Sequence, residues 1–430
     1  MNFIVICLHS LDMRDFHSHL RATPCLDSLR SRSVFIPMGR AQGHHQGDSL
    51  NAELTGVWTA RCSNSILDGT GYKAPDTCHL PKTVIEYLQD AGYEIFTCIA
   101  PSKEQRVGTW AVEGGMRRLW LRGEPERLKQ FSMPRDMTRS EWLTEINRSK
   151  RFYAHIFLRD THRPWAGEGR LYAMMGPRAA TARWIRRALG RPSGWPGDAY
   201  YARRAALERP DEFAVLRREG LAEADSVLAE ILEATQGIDD VTYVIYSNHG
   251  EVFDHFRYNL PYTHSTVSGL EMLEGTSHGN YPYEVLYANM QMWMIPGRPP
   301  SVMRGIGRSI DFAPTILDLA GVEPKAMDGE SMLEHFSEGI FPDRDRYAES
   351  PISGGCLSMV RKDGYKLVTI GAGGDGEDNT FALRGFAEHR LAVFDLESDP
   401  FEYVNLLETQ QGQEVLDWAI SRHGELGRLL

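Results

Sequence analysis

Short continuous apolar runs, each the length of a buried strand, alternate along this chain with stretches whose apolar residues recur at helical spacing. Phe3–Leu8, Tyr93–Ile99, Phe152–Leu158 and Val241–Tyr246 are dominated by β-branched, aromatic and aliphatic residues, as expected of strands covered on both faces. Between them, Pro81–Ala91 places Val84, Ile85 and Leu88 on one helical face, and Leu221, Ala224, Leu228, Ile231 and Leu232 form a stripe ahead of Val241. Thr23 and Pro24 predict a helix start, with threonine at the N-cap and proline in the first turn. Asp311–Gly321 predicts a helix that opens on a cap and stops at a glycine. Met290–Met294 reads as a further core strand. Strands alternating with helices predict a mainly parallel sheet with helices on both faces. From about residue 340 the pattern changes to short strands and turns. Tyr365–Ile370, the glycine-rich loop Gly371–Gly376 and Leu391–Phe394 predict a small antiparallel α+β subdomain closed by a C-terminal helix. The expected division is an α/β domain over residues 1–340 and the small subdomain over 341–430, with no internal repeat.

Charge and cysteine usage narrow the partners. A net charge of −11 and a pI near 5.8 disfavour nucleic acid or an anionic membrane. No apolar run approaches the roughly 18 residues that span a bilayer. The six cysteines are scattered without a C-x-x-C pair, which argues against a disulfide framework or zinc ribbon. Met1–Leu8 carries neither a basic leader region nor a small-residue cleavage site, so the expected location is the cytoplasm. An arginine-rich stretch from Gly167 to Arg218 offers an anion-attracting lid. Its acidic neighbours Glu208, Asp211 and Glu212 favour the plainer reading of solvated helix faces.

The strand ending at Tyr246 runs into Ser247-Asn248-His249-Gly250-Glu251, and in open α/β sheets ligands bind at the carboxyl ends of strands. That segment resembles the Ser-Asp-His-Gly-Glu signature of the sulfatase branch of the alkaline phosphatase superfamily, with Asn248 in place of an aspartate. Other segments are similar to the same family in the same order: Thr23-Pro24-Cys25-Leu26-Asp27, Thr161-His162-Arg163-Pro164-Trp165, Ser277–Glu284, Asp311–Gly321 with Asp328-Gly329-Glu330-Ser331, and Phe394–Leu406. The resemblance implies an alkaline-phosphatase-like three-layer α/β sandwich. It also implies that His162 and His278 contact the anionic group and protonate the leaving oxygen.

The positions that carry the family's chemistry are changed. Its first strand ends in metal-binding acids, where this chain has His9-Ser10. Its nucleophile, a formylglycine precursor or an alkoxide residue, aligns with Gln46 when counted back from Leu54-Thr55-Gly56, and Leu50 replaces the arginine that would position it. Ser49 is a nearby hydroxyl three residues further on, and a shift of register would bring it in. His9, Ser10, Asn248 and His249 offer no carboxylate, so Ca²⁺, which wants several anionic oxygens, should bind poorly. His9, Asn248 and His249 with His45, or His44, suit zinc or another transition metal better. Asp12 or Asp48 would add a carboxylate if the local geometry differs. The competing reading has no metal, the same residues filling a relic pocket by hydrogen bonding. The expected function is a metal-dependent hydrolase or transferase acting on a sulfuryl, sulfamoyl or phosphoryl group of a small anionic or ester substrate. A non-hydrolytic biosynthetic enzyme with a histidine-rich metal site and a catalytically inactive ligand-binding protein are the alternatives, since a fold alone does not choose among them. Oligomeric state is left open.

Overall fold

The computed structural model describes residues 1–11, 23–44, 46–58, 81–100, 128–132, 146, 149–158, 161, 210–251, 264–267, 270–273, 282–350, 356–369 and 391–427. The elements up to the end of the sixth strand are β1 (Asn2–Leu8), α1 (Pro24–Arg30), β2 (Val34–Arg40), α2 (Gln46–Thr55), α3 (Val84–Asp90), β3 (Glu94–Ala100), β4 (Leu128–Ser132), β5 (Phe152–Leu158), α4 (Pro210–Thr235) and β6 (Val241–Ser247). A hairpin of β7 (His264–Val267) and β8 (Leu270–Leu273) follows, then α5 (Glu284–Tyr287), β9 (Ala288–Met294), β10 (Ser301–Val302), β11 (Gly307–Arg308), α6 (Phe312–Ala320) and α7 (Leu333–Glu338). The chain ends in β12 (Arg346–Ser350), β13 (Cys356–Val360), β14 (Tyr365–Thr369), β15 (Leu391–Asp395) and α8 (Gln410–Gly427).

The large sheet runs β10-β2-β9-β6-β1-β5-β3-β4, with β11 also on β2. All its pairings are parallel except those of β9, which is antiparallel to both β2 and β6. Alternation along β1 builds the two cores. Phe3, Val5 and Cys7 face the side covered by α2, α3, α6 and α7, while Ile4, Ile6 and Leu8 face α1 and α4. Helices on both faces of a mainly parallel sheet make the three-layer α/β architecture expected from the run pattern. The separate sheet β12-β13-β14-β15 is antiparallel throughout, and Val415 and Ala419 of α8 pack against it.

Local sequence explains several element ends. Thr83 and Glu86 form a reciprocal capping box at the start of α3. Gly321 ends α6 in the left-handed conformation at φ 68°. Thr23 makes no side-chain cap on α1. Asp225 of α4 does so from across the core, accepting the amides of Cys25 and Leu26 at 2.9 and 2.8 Å. Asp311 likewise gives no side-chain cap to α6, and its carboxylate pairs with Arg308 and Arg344. Among the described residues no helix is long and apolar enough to cross a membrane.

His155, in the middle of β5, is fully buried with Nε2 3.2 Å from the Tyr246 hydroxyl. Burial pushes its pKa from 6.5 down to about 3, so the native imidazole is neutral. Below pH 6.5 the unfolded chain takes up a proton that the folded chain refuses, so stability falls as pH drops toward 3. At pH 4.5 this one group should cost about 2–3 kcal/mol relative to pH 7. Unfolding midpoints measured at both pH values should therefore differ less in His155→Gln than in the unaltered chain, and an equal difference would refute the assignment.

Candidate functional site

β1 and β6 are parallel neighbours in register, with Leu8 opposite Ser247. The residues that follow each strand therefore leave the sheet side by side at its carboxyl edge. This brings together His9, Ser10, Asn248 and His249, all of them buried. The His9 and His249 rings meet edge to face with centroids 5.5 Å apart, and the Phe157 ring centroid lies 5.0 Å from that of His9. The backbone of His9 is held by β5 and the turn after it. Its amide donates to the Leu158 carbonyl at 3.0 Å, and the Thr161 hydroxyl donates to its carbonyl at 2.6 Å.

Ser10 turns the chain with φ at +57°, a left-handed conformation that favours glycine. Its amide donates to Asn248 Oδ1 at 3.1 Å. That contact fixes the Asn248 amide, because only the oxygen can accept. Asn248 Nδ2 is then a buried donor with no hydrogen-bond partner among the described residues. His249 Nδ1 lies 2.7 Å from the Gly250 carbonyl, which can only accept, so Nδ1 carries the proton. Nε2 is left as the acceptor nitrogen, and Ser10 Oγ is 3.5 Å from it.

Helix α2 closes the site from the face opposite α4. It begins at Gln46, the position expected from the sequence to align with the family's nucleophile. The Ser49 hydroxyl lies 2.7 Å from the Asn248 carbonyl and 3.1 Å from that of Gly43, so it ties the helix to the end of β6. His44 is turned toward Tyr287, with Nδ1 3.3 Å from the phenol oxygen. Beneath the site Glu53 of α2 is fully buried beside Cys7 and Tyr246. Burial raises its pKa well above the ordinary carboxylate value, so it is held protonated. His45, His162, His278 and Asp12 lie outside the described residues.

Members of this fold family generally use a divalent metal. The donor set described here does not fit a hard cation. It contains no carboxylate, Asn248 Oδ1 already accepts the Ser10 amide, and His249 has one nitrogen committed to a carbonyl. Among the described residues no group of three or more His, Cys, Asp or Glu is placed to hold a metal. His9 and His249 supply two imidazoles, short of the three or four protein ligands of a zinc centre.

A second buried polar group joins the two sheets, and sequence reasoning did not find it. Arg40 of β2 makes a two-pronged contact with Glu284 at 2.7 and 3.1 Å and donates to Ser358 at 2.9 Å. Lys366 of β14, wholly buried, lies 3.3 Å from Glu284 and 2.8 Å from Glu402, and donates to the Pro282 carbonyl at 2.6 Å. Glu402 accepts the Glu284 amide at 2.7 Å, at the start of α5. Burial works to raise the Glu284 carboxyl, but Arg40 and Lys366 together outweigh it and hold it well below the usual range. Arg40 and Lys366 are far apart in the chain, so periodicity carries no sign of them. The one available signal was a lysine inside the apolar run Tyr365–Ile370.

Several solved structures share this architecture. One is a protein bound to its substrate D-glucosamine-2-N,6-O-disulfate, with 15% identity and a TM-score of 0.64 over 99% of this chain and 97% of that one. Another is the phosphonate monoester hydrolase of Agrobacterium radiobacter, with 16% identity and a TM-score of 0.60 over 100% and 96%. An alkaline phosphatase superfamily protein from Vibrio parahaemolyticus has 14% identity and a TM-score of 0.54 over 93% and 80%. At these identities the likeness establishes the fold alone. None of the curated proteins is similar enough in sequence to count as a match. The sulfatase family profile matches residues 1–322, which cover the whole large sheet and both strand ends that form the site. The chain belongs to the sulfatase family.

Proposed function

We propose that this protein is a hydrolase or transferase acting on the phosphoryl, sulfuryl or sulfamoyl group of a small anionic ester, at the joined ends of β1 and β6. The observation that carries this reading is the buried set His9, Ser10, Asn248 and His249, in which the family's acids give way to imidazole, hydroxyl and amide groups. Donors of this kind suit an oxyanion, since N–H and O–H groups aimed at it replace its hydration shell. His162 and His278, from segments similar to the family's base-bearing ones, are assigned to the anionic group and the leaving oxygen. Ser49 is assigned a holding role, because its hydroxyl is engaged by backbone carbonyls at the floor of the site. The metal of this reading, where one is bound, is a transition metal on His9 and His249 completed by His45, and no step is assigned to it. A neighbour named as a phosphonate monoester hydrolase and one bound to a disulfated sugar support the breadth of the substrate class.

The test is turnover of an aryl phosphate, an aryl phosphonate monoester and an aryl sulfate by the purified protein, with metal content measured on the same sample. The expected result is hydrolysis of a phosphoryl ester, weak action on the aryl sulfate, and no loss on treatment with a calcium-selective chelator. His249→Gln should lower kcat/KM by at least about a hundredfold. No turnover of any of the three would favour the inactive, ligand-binding alternative, which the complete burial of the four residues also suits.

A further inference from the structure

We propose that the junction between the two sheets binds a small oxyanion, a phosphate or sulfate group, between the guanidinium groups of Arg40 and Arg346. The site shares no residue with the ends of β1 and β6, and it stands independently of the proposed function. Three observations meet on it. The first is placement. In the small sheet Arg346 stands opposite Val360, Val360 stands opposite Lys366, and Ser358 lies two residues before Val360 on the same strand. Side chains in such a row, and those two apart along a strand, leave the same face. Arg346, Lys366 and Ser358 therefore share the face that meets Arg40, whose Nη2 donates to the Ser358 hydroxyl at 2.9 Å. Arg346 is close enough for its charge to act on both Arg40 and Glu284.

The second is a pair of unmet donors. Arg40, 2% exposed, commits Nε and Nη2 to Glu284 and Ser358, and its Nη1 is buried with no hydrogen-bond partner among the described residues. Nε of Arg346 is buried and unpartnered in the same sense. A buried charged donor left unmet is costly, and the planar guanidinium is the side chain whose donors match the oxygens of phosphate and sulfate. The third is charge balance. Lys366 lies between Glu284 and Glu402, and Arg40 also holds Glu284, so Arg346 is the cation left over. Asp343 and Asp345 act on it from the approach to β12, but Asp343 is exposed and Asp345 is already paired with Arg422. Burial and then the neighbouring Arg40 lower the Arg346 pKa, as expected of a guanidinium short of negative charge. Arg346 is itself only partly buried, which gives an ion a way in from solvent.

The experiment titrates the full chain with inorganic phosphate and with sulfate at constant ionic strength, by calorimetry and by melting temperature. The expected result is a saturable site that survives in His249→Gln, with a melting temperature that climbs with the logarithm of anion concentration. Arg346→Gln should weaken this binding at least about tenfold, the contribution of one charge-assisted hydrogen bond. In buffer free of phosphate and sulfate the same variant should melt no lower than the unaltered chain, because an unbalanced cation is gone. A purely structural arginine would give the opposite, a lower melting temperature and unchanged binding, and that result overturns the inference. Binding lost in His249→Gln but kept in Arg346→Gln places the ion at the strand ends, which overturns the inference and leaves the proposed function standing. Absence of saturable binding overturns it as well. Glucose 6-phosphate separates the two sources of such a group. Tighter binding than inorganic phosphate identifies the anionic arm of a larger molecule, and weaker binding identifies a free ion.

Discussion

Lys366→Met is expected to lower the free energy of unfolding by about 3–5 kcal/mol, the cost of removing one partner from a buried ion pair. Lys366 is completely buried between two carboxylates, Glu284 and Glu402, and bonds the Pro282 carbonyl. Methionine fills much the same volume, so the loss isolates the charge. Arg40 still compensates Glu284 through its two-pronged contact, which leaves Glu402 as the uncompensated group. Burial already raises the Glu402 pKa, against the lowering pull of Lys366, and without the lysine it should be protonated in the folded state. Glu402→Gln in the Lys366→Met background should therefore recover part of the loss. Urea unfolding midpoints of the single and double variants measure both effects. A loss under about 1 kcal/mol in Lys366→Met would show that the pair contributes no more than an exposed one.

Gly250→Ala is expected to destabilise the protein by about 3 kcal/mol or more, a backbone collision in a packed interior that no rotamer relieves. A Cβ at this position would lie 2.1 Å from the Val285 carbonyl oxygen and 3.2 Å from that of Ala288. Glycine here serves close packing of the β6 end against α5, where its amide also donates to the Leu286 carbonyl at 2.9 Å. The same residue presents the carbonyl that orients His249. Any shift that relieves the collision moves that carbonyl, so residual folded protein should also lose turnover. Equal stability and equal kcat in Gly250→Ala would contradict the packing described.

The layers were legible because burial on both faces leaves continuous apolar runs, as in β1, β5 and β6, and because Val84, Ile85 and Leu88 repeat at helical spacing. Convergence of His9 with His249 was legible too, since both follow strands that a parallel sheet sets side by side. What sequence could not give was orientation. The Ser10 hydroxyl reaches His249 only through a left-handed turn, and no local pattern predicts that conformation at a serine. The engagement of Ser49 by two carbonyls depends on how α2 docks on β6, a contact between residues 199 positions apart. Capping of α1 by Asp225 rather than by Thr23 has the same cause, a long-range acceptor outcompeting the local one.

On the proposed reading, imidazole, hydroxyl and amide groups stand in place of a hard-cation site at the ends of β1 and β6. Calcium titration of the chelator-treated protein, followed by melting temperature, tests it most directly. A ligand that binds only the folded state raises stability in proportion to the logarithm of its concentration once the site is filled. The melting temperature should stay unchanged into the millimolar range. A saturable rise with one calcium bound per chain would contradict it.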